Sequence, residues 1–354
     1  MKNLGEALKM SNIDILKFLK TIPKLFIYLT TSCNLNCKHC YLGNRLKQKI
    51  AFHQNAVINI LDLFAQLNGK KEVTFLGGEP ILYPGINNIL KHAKKNGYYV
   101  RLDTNGFYDN RLLRKIDLDN IDEVSISLDG ASSTTHDKIR AIGSYELTLG
   151  NIRYLKKVGK RVRVITTVMK PNLHEIPEIV ELLNNMEVDL LNFHLLSING
   201  NAREHPELWV SPKEWLSLIT KIWEVSDLKI RFPLAYLPKS LVKKNIDDDF
   251  LSCEIPELRR LSFFPDGKVY CCSIVFDTNL NVGTYDFGKK IIKMRKNSEF
   301  YRIKDKKSCI AKDFMAQQEE FTSICRFKKV QNDNKRYENL ILKIKEILEC
   351  RETA

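Results

Sequence analysis

Short apolar segments alternate with longer segments along roughly the first two thirds of the chain, and the longer ones repeat their apolar residues at helical spacing. Between His53 and Leu67, for example, Val57, Ile60 and Phe64 fall on one side of a helix. This alternation predicts a series of strands, each followed by a helix. The predicted strands are 24–30, 72–76, 98–104, 123–128, 162–169 and 190–196. The predicted helices are 53–67, 86–95, 112–116, 145–158, 173–184 and 212–225.

Strands that alternate with helices favour a parallel sheet with right-handed crossovers, so the predicted fold class is α/β. The short, nearly continuous apolar strands fit such a sheet, because both of its faces are covered. From Arg231 onward the pattern becomes less regular. There the turn sequence Pro265-Asp266-Gly267-Lys268 predicts a small hairpin over 263–270. A charged amphipathic helix is predicted over 328–349.

The residues with distinctive chemistry come directly after predicted strands. Three cysteines follow the first strand, and Gly-Gly-Glu-Pro at 77–80 follows the second. Asn105-Gly106 and Asp129-Gly130 follow the next two. The functional face of a parallel α/β fold lies at the carboxyl ends of its strands, so these residues are expected to converge on one rim.

The three cysteines have the spacing Cys33-x3-Cys37-x2-Cys40. Soft thiolates of this kind select zinc or an iron–sulfur cluster. A structural zinc site needs four ligands, and no fourth cysteine stands nearby. His39 lies between two of the cysteines, which is awkward for joint tetrahedral geometry. A cluster held by three cysteines would leave one iron open to a substrate or a cofactor.

This spacing after a first strand resembles the signature of the radical S-adenosylmethionine (SAM) superfamily. The resemblance implies a [4Fe–4S] cluster on Cys33, Cys37 and Cys40, with its open iron chelated by the amino and carboxylate groups of SAM. It also implies a partial (β/α)6 TIM-like barrel, reductive cleavage of SAM to a 5′-deoxyadenosyl radical, and abstraction of a hydrogen atom from a substrate. The implied electron donor is an external reductant, such as a flavodoxin or a ferredoxin-like protein.

Two further motifs resemble the same family. Gly77-Gly78-Glu79-Pro80 matches its GGEP motif, in which the glutamate accepts a hydrogen bond from the SAM ammonium. SISLDG at 125–130, followed by HDKIR at 136–140, resembles a branch that includes peptide-modifying and anaerobic sulfatase-maturing enzymes. The chain departs from that branch at Ala141, where glycine is common.

The resemblance also assigns roles to single residues. Ser127 would contact the SAM ribose, and Arg140 would bind the SAM carboxylate, which a guanidinium grips in bidentate fashion. A surface ion pair for Arg140, and simple turn roles for Asn105 and Asp129, are the structural alternatives. The candidate cofactor-binding residues are His39, Gly77, Gly78, Glu79, Asn105, Ser127, Asp129 and Arg140.

The C-terminal cysteines resemble part of a SPASM domain, which holds auxiliary iron–sulfur clusters. The spacing Cys253-x13-Gly267-x4-Cys272 is similar to the opening of that domain, but few cysteines follow it. One auxiliary [4Fe–4S] cluster is therefore predicted, as in the shortened "twitch" arrangement, with a structural zinc or no metal as the alternatives. Cys271 would replace its neighbour as a ligand, donate a hydrogen atom, or pack in the hairpin core. The predicted ligands are Cys253, Cys272, Cys309 and Cys325.

Composition narrows the classes of function. The net charge of +14 is scattered in single residues and short pairs, which argues against a nucleic-acid partner but leaves an anionic substrate open. The chain has no apolar run of membrane-spanning length and no signal-peptide pattern, so no membrane partner and a cytoplasmic location are expected. In a reducing compartment its nine cysteines point to metal binding or catalysis.

The leading functional interpretation is a radical SAM enzyme that modifies a ribosomal peptide by cross-linking or epimerisation. The alternatives are a dehydrogenase or epimerase of a small sugar, aminocyclitol or nucleoside, and a non-catalytic iron–sulfur or zinc protein. The residues before the first strand are too few for a leader-binding domain, so a separate leader-binding protein is expected. The predicted domains are an N-terminal extension (1–23), a radical SAM partial barrel (24–228), an auxiliary-cluster domain (229–327) and a terminal helix (328–354).

Overall fold

The fold was taken from a computed structural model of the chain. The structure describes residues 24–67, 69–222, 228–232, 235–241, 260–272, 275–276, 280–295, 316, 318–323 and 334–349. No helix in these ranges is both long enough and apolar enough to cross a membrane.

One large sheet dominates the fold. Its first strands are β1 (Lys24–Tyr28), β2 (Lys71–Leu76), β3 (Tyr98–Thr104), β4 (Glu123–Ser127), β5 (Arg161–Val168), β6 (Leu190–Leu195) and β7 (Ile230–Arg231). These strands are parallel neighbours in chain order. The predicted α/β class and partial barrel are therefore confirmed, and β7 adds a parallel strand to the six predicted.

The C-terminal part of the chain extends the same sheet on its other side. After β8 (Tyr236–Pro238) come β9 (Arg260–Phe263), β10 (Lys268–Tyr270), β11 (Gly283–Asp286), β12 (Ile291–Met294) and β13 (Phe321–Ser323). Strand β9 pairs parallel to β1, and β10, β11 and β12 follow it as an antiparallel series. The predicted hairpin is thus β9–β10, and it lies beside the strand that leads into the cysteine loop. Strands β8 and β13 form a separate antiparallel pair.

Helices lie between consecutive parallel strands, and the last helix follows β13. They are α1 (Arg45–Gln48), α2 (Gln54–Ala65), α3 (Ile86–Lys95), α4 (Asn110–Leu113), α5 (Ser133–Ile139), α6 (Ser144–Lys157), α7 (Ile176–Asn185), α8 (Pro212–Ile222) and α9 (Asn334–Glu349). Short 3₁₀ turns cover Pro80–Leu82, Leu118–Asn120, Lys170–Glu175, Gly200–Glu204 and Pro206–Leu208.

Several predicted boundaries need correction. The helix predicted over 173–184 is a 3₁₀ turn followed by α7, because Pro177 favours the first turn of a helix rather than its interior. The short helix predicted over 112–116 begins earlier, at Asn110, where the Asp109 side chain caps it. Helix α5 was not predicted at all, and Ser132 caps it by accepting from the Thr135 N–H. The part of the predicted terminal helix before Asn334 lies outside the described residues.

The two faces of the sheet differ in chemistry. Strand β3 alternates fully buried Val100 and Leu102 with partly exposed Arg101 and Asp103. The apolar residues pack under the helices, as period-two alternation requires when one face is covered. The other residues form an inner face that is polar along β3, β4 and β5.

Candidate functional site

The cysteine loop leaves the carboxyl end of β1, and its three thiols are free of disulfides. Burial is the main reason that the pKa of Cys33 rises to about 11 and that of Cys37 to about 12. Burial also raises the pKa of Cys40. Arg140 opposes this effect at Cys37 and Cys40. The loop therefore holds Cys37 buried and Cys33 and Cys40 half-buried, near the buried cation of Arg140.

The segment that follows β6 supports the cysteine loop, and none of its residues was among the predicted site residues. The backbone N–H of Asn201 donates to the Cys40 carbonyl at 2.9 Å, and its side-chain amide donates to the Cys37 carbonyl at 3.0 Å. Gly200 has φ +57°, and a Cβ there would stand 2.3 Å from the Cys40 oxygen. Only glycine allows the two backbones to approach so closely. The only signal for this segment was its place after a strand.

The GGEP segment lies against the chain that enters the cysteine loop. The Gly78 N–H donates to the Thr30 carbonyl at 2.7 Å, and the Glu79 N–H donates to the Ser32 carbonyl at 2.9 Å. A Cβ on Gly77 would stand 2.3 Å from the Thr30 oxygen, and one on Gly78 would stand 2.1 Å from the Ser32 oxygen. The two glycines therefore let the segment dock one residue before Cys33.

Glu79 is fully buried at the centre of the rim. Its Oε1 accepts from the Thr104 hydroxyl at 2.7 Å and from the Ile81 N–H at 3.1 Å, and its Oε2 accepts from the Asn105 N–H at 2.8 Å. Burial raises the pKa of Glu79 to about 7, although these hydrogen bonds favour the charged form. The carboxyl group is therefore fixed in place and changes charge near neutral pH.

Asn105 connects this carboxylate to the cysteine loop. Its side-chain amide donates to the Asn34 Oδ1 at 2.8 Å and lies 3.5 Å from the Cys33 sulfur. Its Oδ1 accepts from the Phe107 N–H at 2.7 Å. Asn105 therefore does more than turn the chain, because it joins the ends of β2 and β3 to the first cysteine.

Asp129 and Arg140 form a buried salt bridge, with the Arg140 Nε 2.7 Å from the Asp129 Oδ2. The His39 Nε2 lies 3.5 Å from the same oxygen, and the Thr167 N–H donates to the Asp129 Oδ1 at 2.8 Å. Burial lowers the pKa of His39 to about 4, so its imidazole is neutral and the salt bridge carries the charge. Arg140 is thus not a surface ion pair, since its side chain is 7% exposed.

Asn172 and His136 hold the backbone around Asp129. The Asn172 amide donates to the Asp129 carbonyl at 2.9 Å, and the Asp129 N–H lies 3.1 Å from the His136 Nδ1. Asn172 was not among the predicted residues, because one asparagine in a loop leaves no periodic signal. Ser127, the predicted ribose contact, lies half-buried at the end of β4 beside Ile165 of β5.

The loop suits a cluster better than a single metal ion. Among the described residues, which include these thiols, no three His, Cys, Asp or Glu side chains are grouped to hold one ion. A [4Fe–4S] cluster takes its cysteines on separate irons, so its thiolates do not converge on one point. Three soft donors next to Arg140 fit such a cluster and fit tetrahedral zinc poorly.

The C-terminal cysteines are only partly described. Cys271 and Cys272 follow β10 and are 4% and 5% exposed. Burial raises the pKa of the Cys271 thiol well above its ordinary value. The remaining predicted ligands of the auxiliary cluster, Cys253, Cys309 and Cys325, lie outside the described residues.

Aromatic rings and one arginine join the cysteine loop to this hairpin. Arg45, five residues after Cys40, donates to the Tyr270 hydroxyl at 3.1 Å and lies 4.4 Å from the centre of the Phe264 ring. The Phe264 ring stacks on Tyr28 at 4.0 Å. The end of β1 and the β9–β10 hairpin therefore share one packed core.

Comparison with known proteins points the same way. Residues 27–199 match the model of the radical SAM superfamily. The chain is 30% identical over 207 residues to the AdoMet-dependent heme synthase of Methanosarcina barkeri, a match that covers 57% of this chain and 58% of that protein. It is 25% identical over 272 residues to a probable GTP 3′,8-cyclase of Saccharolobus solfataricus, covering 75% of this chain and 87% of that one. The chain spans about half the length of the heme synthases that it matches.

A solved structure shares the fold across nearly the whole chain. It is native anSMEcpe with bound AdoMet and the Cp18Cys peptide, with a TM-score of 0.61 and 15% sequence identity. The superposition covers 92% of this chain and 98% of that one. At this identity the likeness shows the fold, and it agrees with the motifs at the strand ends.

Proposed function

Because the chain belongs to the radical SAM superfamily, we propose that this enzyme modifies a ribosomal peptide by cross-linking or epimerising its residues. The observation that carries the proposal is the fold shared over 92% of the chain with anSMEcpe, whose structure holds AdoMet and a peptide together. The SISLDG and HDKIR segments, which resemble peptide-modifying members of the family, support it. An external reductant and a separate leader-binding protein are part of the proposal.

The residues of the rim have distinct tasks in this proposal. Cys33, Cys37 and Cys40 would hold the [4Fe–4S] cluster, which together with SAM supplies the radical chemistry when bound. Glu79 would accept a hydrogen bond from the SAM ammonium. Arg140 would bind the SAM carboxylate, and its salt bridge with Asp129 fixes the plane of the guanidinium for that contact.

The remaining cofactor contacts are proposals of the same kind. Ser127 lies on the inner face near the mouth of the barrel, which is the end formed by the carboxyl ends of the strands. A ribose hydroxyl would contact Ser127 there. His39 and Asn105 surround the cysteine loop, and both would orient the cluster through the groups that they contact. The location of these residues supports the proposed contacts, since each residue lies at the same end of the sheet as Arg140.

We also propose one auxiliary [4Fe–4S] cluster, with Cys272 as its ligand in the β9–β10 hairpin. The spacing of Cys253, Gly267 and Cys272 supports it. Cys271 is the alternative ligand or a hydrogen-atom donor, and its raised thiol pKa keeps the S–H bond that a donor needs. Iron counts separate the two cysteines. Cys272→Ala should lower the iron content by about four per chain, whereas Cys271→Ala should not, and the reverse result would make Cys271 the ligand.

A small-molecule enzyme is the second candidate function. It would be a dehydrogenase or epimerase of a small sugar, aminocyclitol or nucleoside. The observation that favours it is the similarity to a probable GTP 3′,8-cyclase, whose name describes a small-molecule substrate. Under this proposal the same rim binds SAM, and only the substrate differs.

The test uses the anaerobically reconstituted enzyme with SAM, dithionite and peptides encoded beside its gene. Mass spectrometry should find a peptide that loses two hydrogens, as in a cross-link, or gains one deuterium in D₂O, as in epimerisation. Cys33→Ala serves as the control that removes the radical reaction. If no such peptide changes while a sugar or nucleoside consumes SAM stoichiometrically, the peptide proposal is wrong and the small-molecule enzyme replaces it.

A further inference from the structure

Apart from Ser127, the described inner face of the sheet carries polar and charged residues to which the proposed SAM site assigns no task. Strand register places its residues in rows across neighbouring strands. One row lies near the base of the barrel, which is the end formed by the amino ends of the strands. It consists of Thr74, Arg101, Glu123 and Arg161. A row nearer the mouth runs Ser127, Ile165, Asn192 and Arg231. The inner face therefore carries arginines at two depths.

A single carboxylate serves the arginines near the base. Glu123 is 2% exposed, and its Oε1 lies 2.7 Å from the Arg101 Nε and 2.7 Å from the Arg163 Nη2. Its Oε2 lies 2.9 Å from the Arg161 Nε. These three guanidinium groups share one negative charge at hydrogen-bond distance, so the cluster keeps an excess of positive charge.

Asp103 only partly offsets that excess. Its carboxyl group is near Arg101 and Arg163, but burial raises its pKa and so opposes the charged form. Its Oδ1 is buried without a hydrogen-bond partner among the described residues. Glu72 attracts Arg101, and Asp189 attracts Arg161. The uncompensated positive charge therefore lies on the side of Arg163.

Arg163 and Arg231 lie nearer the mouth of the barrel than the row that contains Arg101 and Arg161. The Arg163 Nε is buried without a partner among the described residues. Burial lowers the pKa of Arg163, and repulsion from Arg101 and Arg231 adds to the effect against the attraction of Glu123. Arg231 is exposed and makes no salt bridge with a described residue. A bound anion would relieve the repulsion between the two and satisfy the free Nε–H.

We propose that Arg231 and Arg163 bind an oxyanion of the substrate, most simply a carboxylate of the peptide, on the inner face to one side of the SAM site. The inference rests on the proposed function for the identity of the substrate. Arg231 stands three strands away from Ser127 in the same row, which is roughly 14 Å at the usual strand spacing. An anionic group held there anchors the substrate at a distance from the reacting carbon, where binding energy serves to orient it.

The test measures anion binding directly, without turnover. The reconstituted holoenzyme is saturated with SAM, so that Arg140 is already occupied, and is titrated by calorimetry at constant ionic strength. Citrate is the carboxylate probe, and inorganic phosphate is the phosphate probe. Arg231→Gln removes the exposed guanidinium, and Arg153→Gln makes the same change on the outer, exposed side of α6. Arg163→Gln is a second variant, but it also disturbs the contact with Glu123.

The expected result is that Arg231→Gln weakens citrate binding by about tenfold or more, while Arg153→Gln leaves it unchanged. Tighter phosphate than citrate binding would identify a phosphate ester as the source of the oxyanion and would still support the site. The proposed oxyanion site would be overturned if the wild type, Arg231→Gln and Arg153→Gln bound citrate equally, or if the wild type bound no citrate at all. If citrate binding depends on Arg231 but no peptide is modified, only the proposed peptide function fails. If Arg231→Gln modifies the peptide as the wild type does and binds citrate with the affinity of the wild type, only this inference fails.

Discussion

The two groups of described cysteines follow β1 and β10, which β9 separates in one sheet, and they lie in different surroundings. Around Cys33, Cys37 and Cys40 the contacts are polar, with backbone N–H groups and asparagine amides directed at sulfurs and carbonyls. Around Cys271 and Cys272 the packing is apolar, and the preceding Tyr270 lies among Phe264 and Phe276.

The difference lies in the hydrogen bonds that reach the sulfurs of the loop. Burial raises the thiol pKa in both places, so burial alone does not distinguish them. The loop adds hydrogen bonds to sulfur, such as Leu35 N–H to Cys33 Sγ at 3.4 Å, and these stabilise thiolate in a cluster. We call the polar residues and backbone groups that surround the cysteine loop its polar frame. Substitutions in this frame should therefore strongly change the stability of the protein, its cluster or its SAM kinetics.

The largest effect is expected from Gly78→Ala. A Cβ would stand 2.1 Å from the Ser32 oxygen, so the GGEP segment could not dock before the loop. We expect the free energy of unfolding to fall by ~3 kcal/mol or more, with loss of the cluster. Gly150→Ala is the matched control, since nothing lies within 4 Å of its Cβ position in α6. It should stabilise the protein by about 0.5–1 kcal/mol. Equal denaturation midpoints for the two variants would contradict the docking role.

Arg140→Ala tests the cation of the polar frame. Loss of the proposed charge-assisted contact to the SAM carboxylate should raise KM for SAM by about 100-fold. It also leaves Asp129 buried without its partner, so stability is measured in parallel. Arg140→Lys should recover part of the affinity, and Arg111→Ala, which breaks an exposed ion pair with Asp109, should change nothing. An unchanged KM in Arg140→Ala would remove this residue from the SAM site.

The raised pKa of Glu79 predicts that kcat/KM for SAM depends on pH. Its pKa of about 7 in the folded protein, raised from 4.5 by burial, means that it is protonated below neutrality and charged above. In its proposed role only the charged form of Glu79 fully accepts from the SAM ammonium, so kcat/KM for SAM should pass half of its plateau near pH 7 and level off about one pH unit higher. At pH 6 it should be about a tenth of the plateau.

The control for this profile is Glu79→Gln, which cannot titrate. It should be slower at high pH and should lack the step near pH 7. Glu175→Gln changes a carboxylate whose pKa lies below its usual range, and it should keep the step. A step that persists in Glu79→Gln would assign the titration to another group.

The smallest effect is expected from Asn201→Ala. The side-chain amide is lost from the Cys37 carbonyl, while the backbone N–H to Cys40 remains. Loss of one such hydrogen bond costs about 1 kcal/mol. The lifetime of the cluster in air should shorten several-fold by absorbance at its charge-transfer band. Asn88→Ala, on the exposed side of α3, is the comparison, and equal lifetimes would show that the segment after β6 does not support the loop.

Sequence and structure agree where the signal is local. Strand β3 was predicted with its observed bounds, because alternation of buried and exposed residues is strict from Tyr98 to Thr104. The convergence of the motifs on one rim followed from their places after parallel strands. Helix α5 was missed because its seven residues, rich in Thr, carry almost no apolar periodicity.

Features that depend on distant residues had no local signature. The parallel pairing of β9 with β1 joins segments more than 230 residues apart and could not be read from either. The same holds for the path from Glu79 through Asn105 to Cys33, which exists only after three strand ends meet. Single supporting residues such as Asn172 and Asn201 were invisible for this reason.

The central claim is tested most directly by counting iron and SAM cleavage in one anaerobic preparation. The protein is reconstituted with iron and sulfide, reduced with dithionite, and assayed for 5′-deoxyadenosine beside the variant Cys33→Ala/Cys37→Ala/Cys40→Ala. The account predicts about eight irons per chain in the wild type, about four in the variant, and cleavage in the wild type alone. Zinc in place of iron, or iron without any 5′-deoxyadenosine, would contradict it.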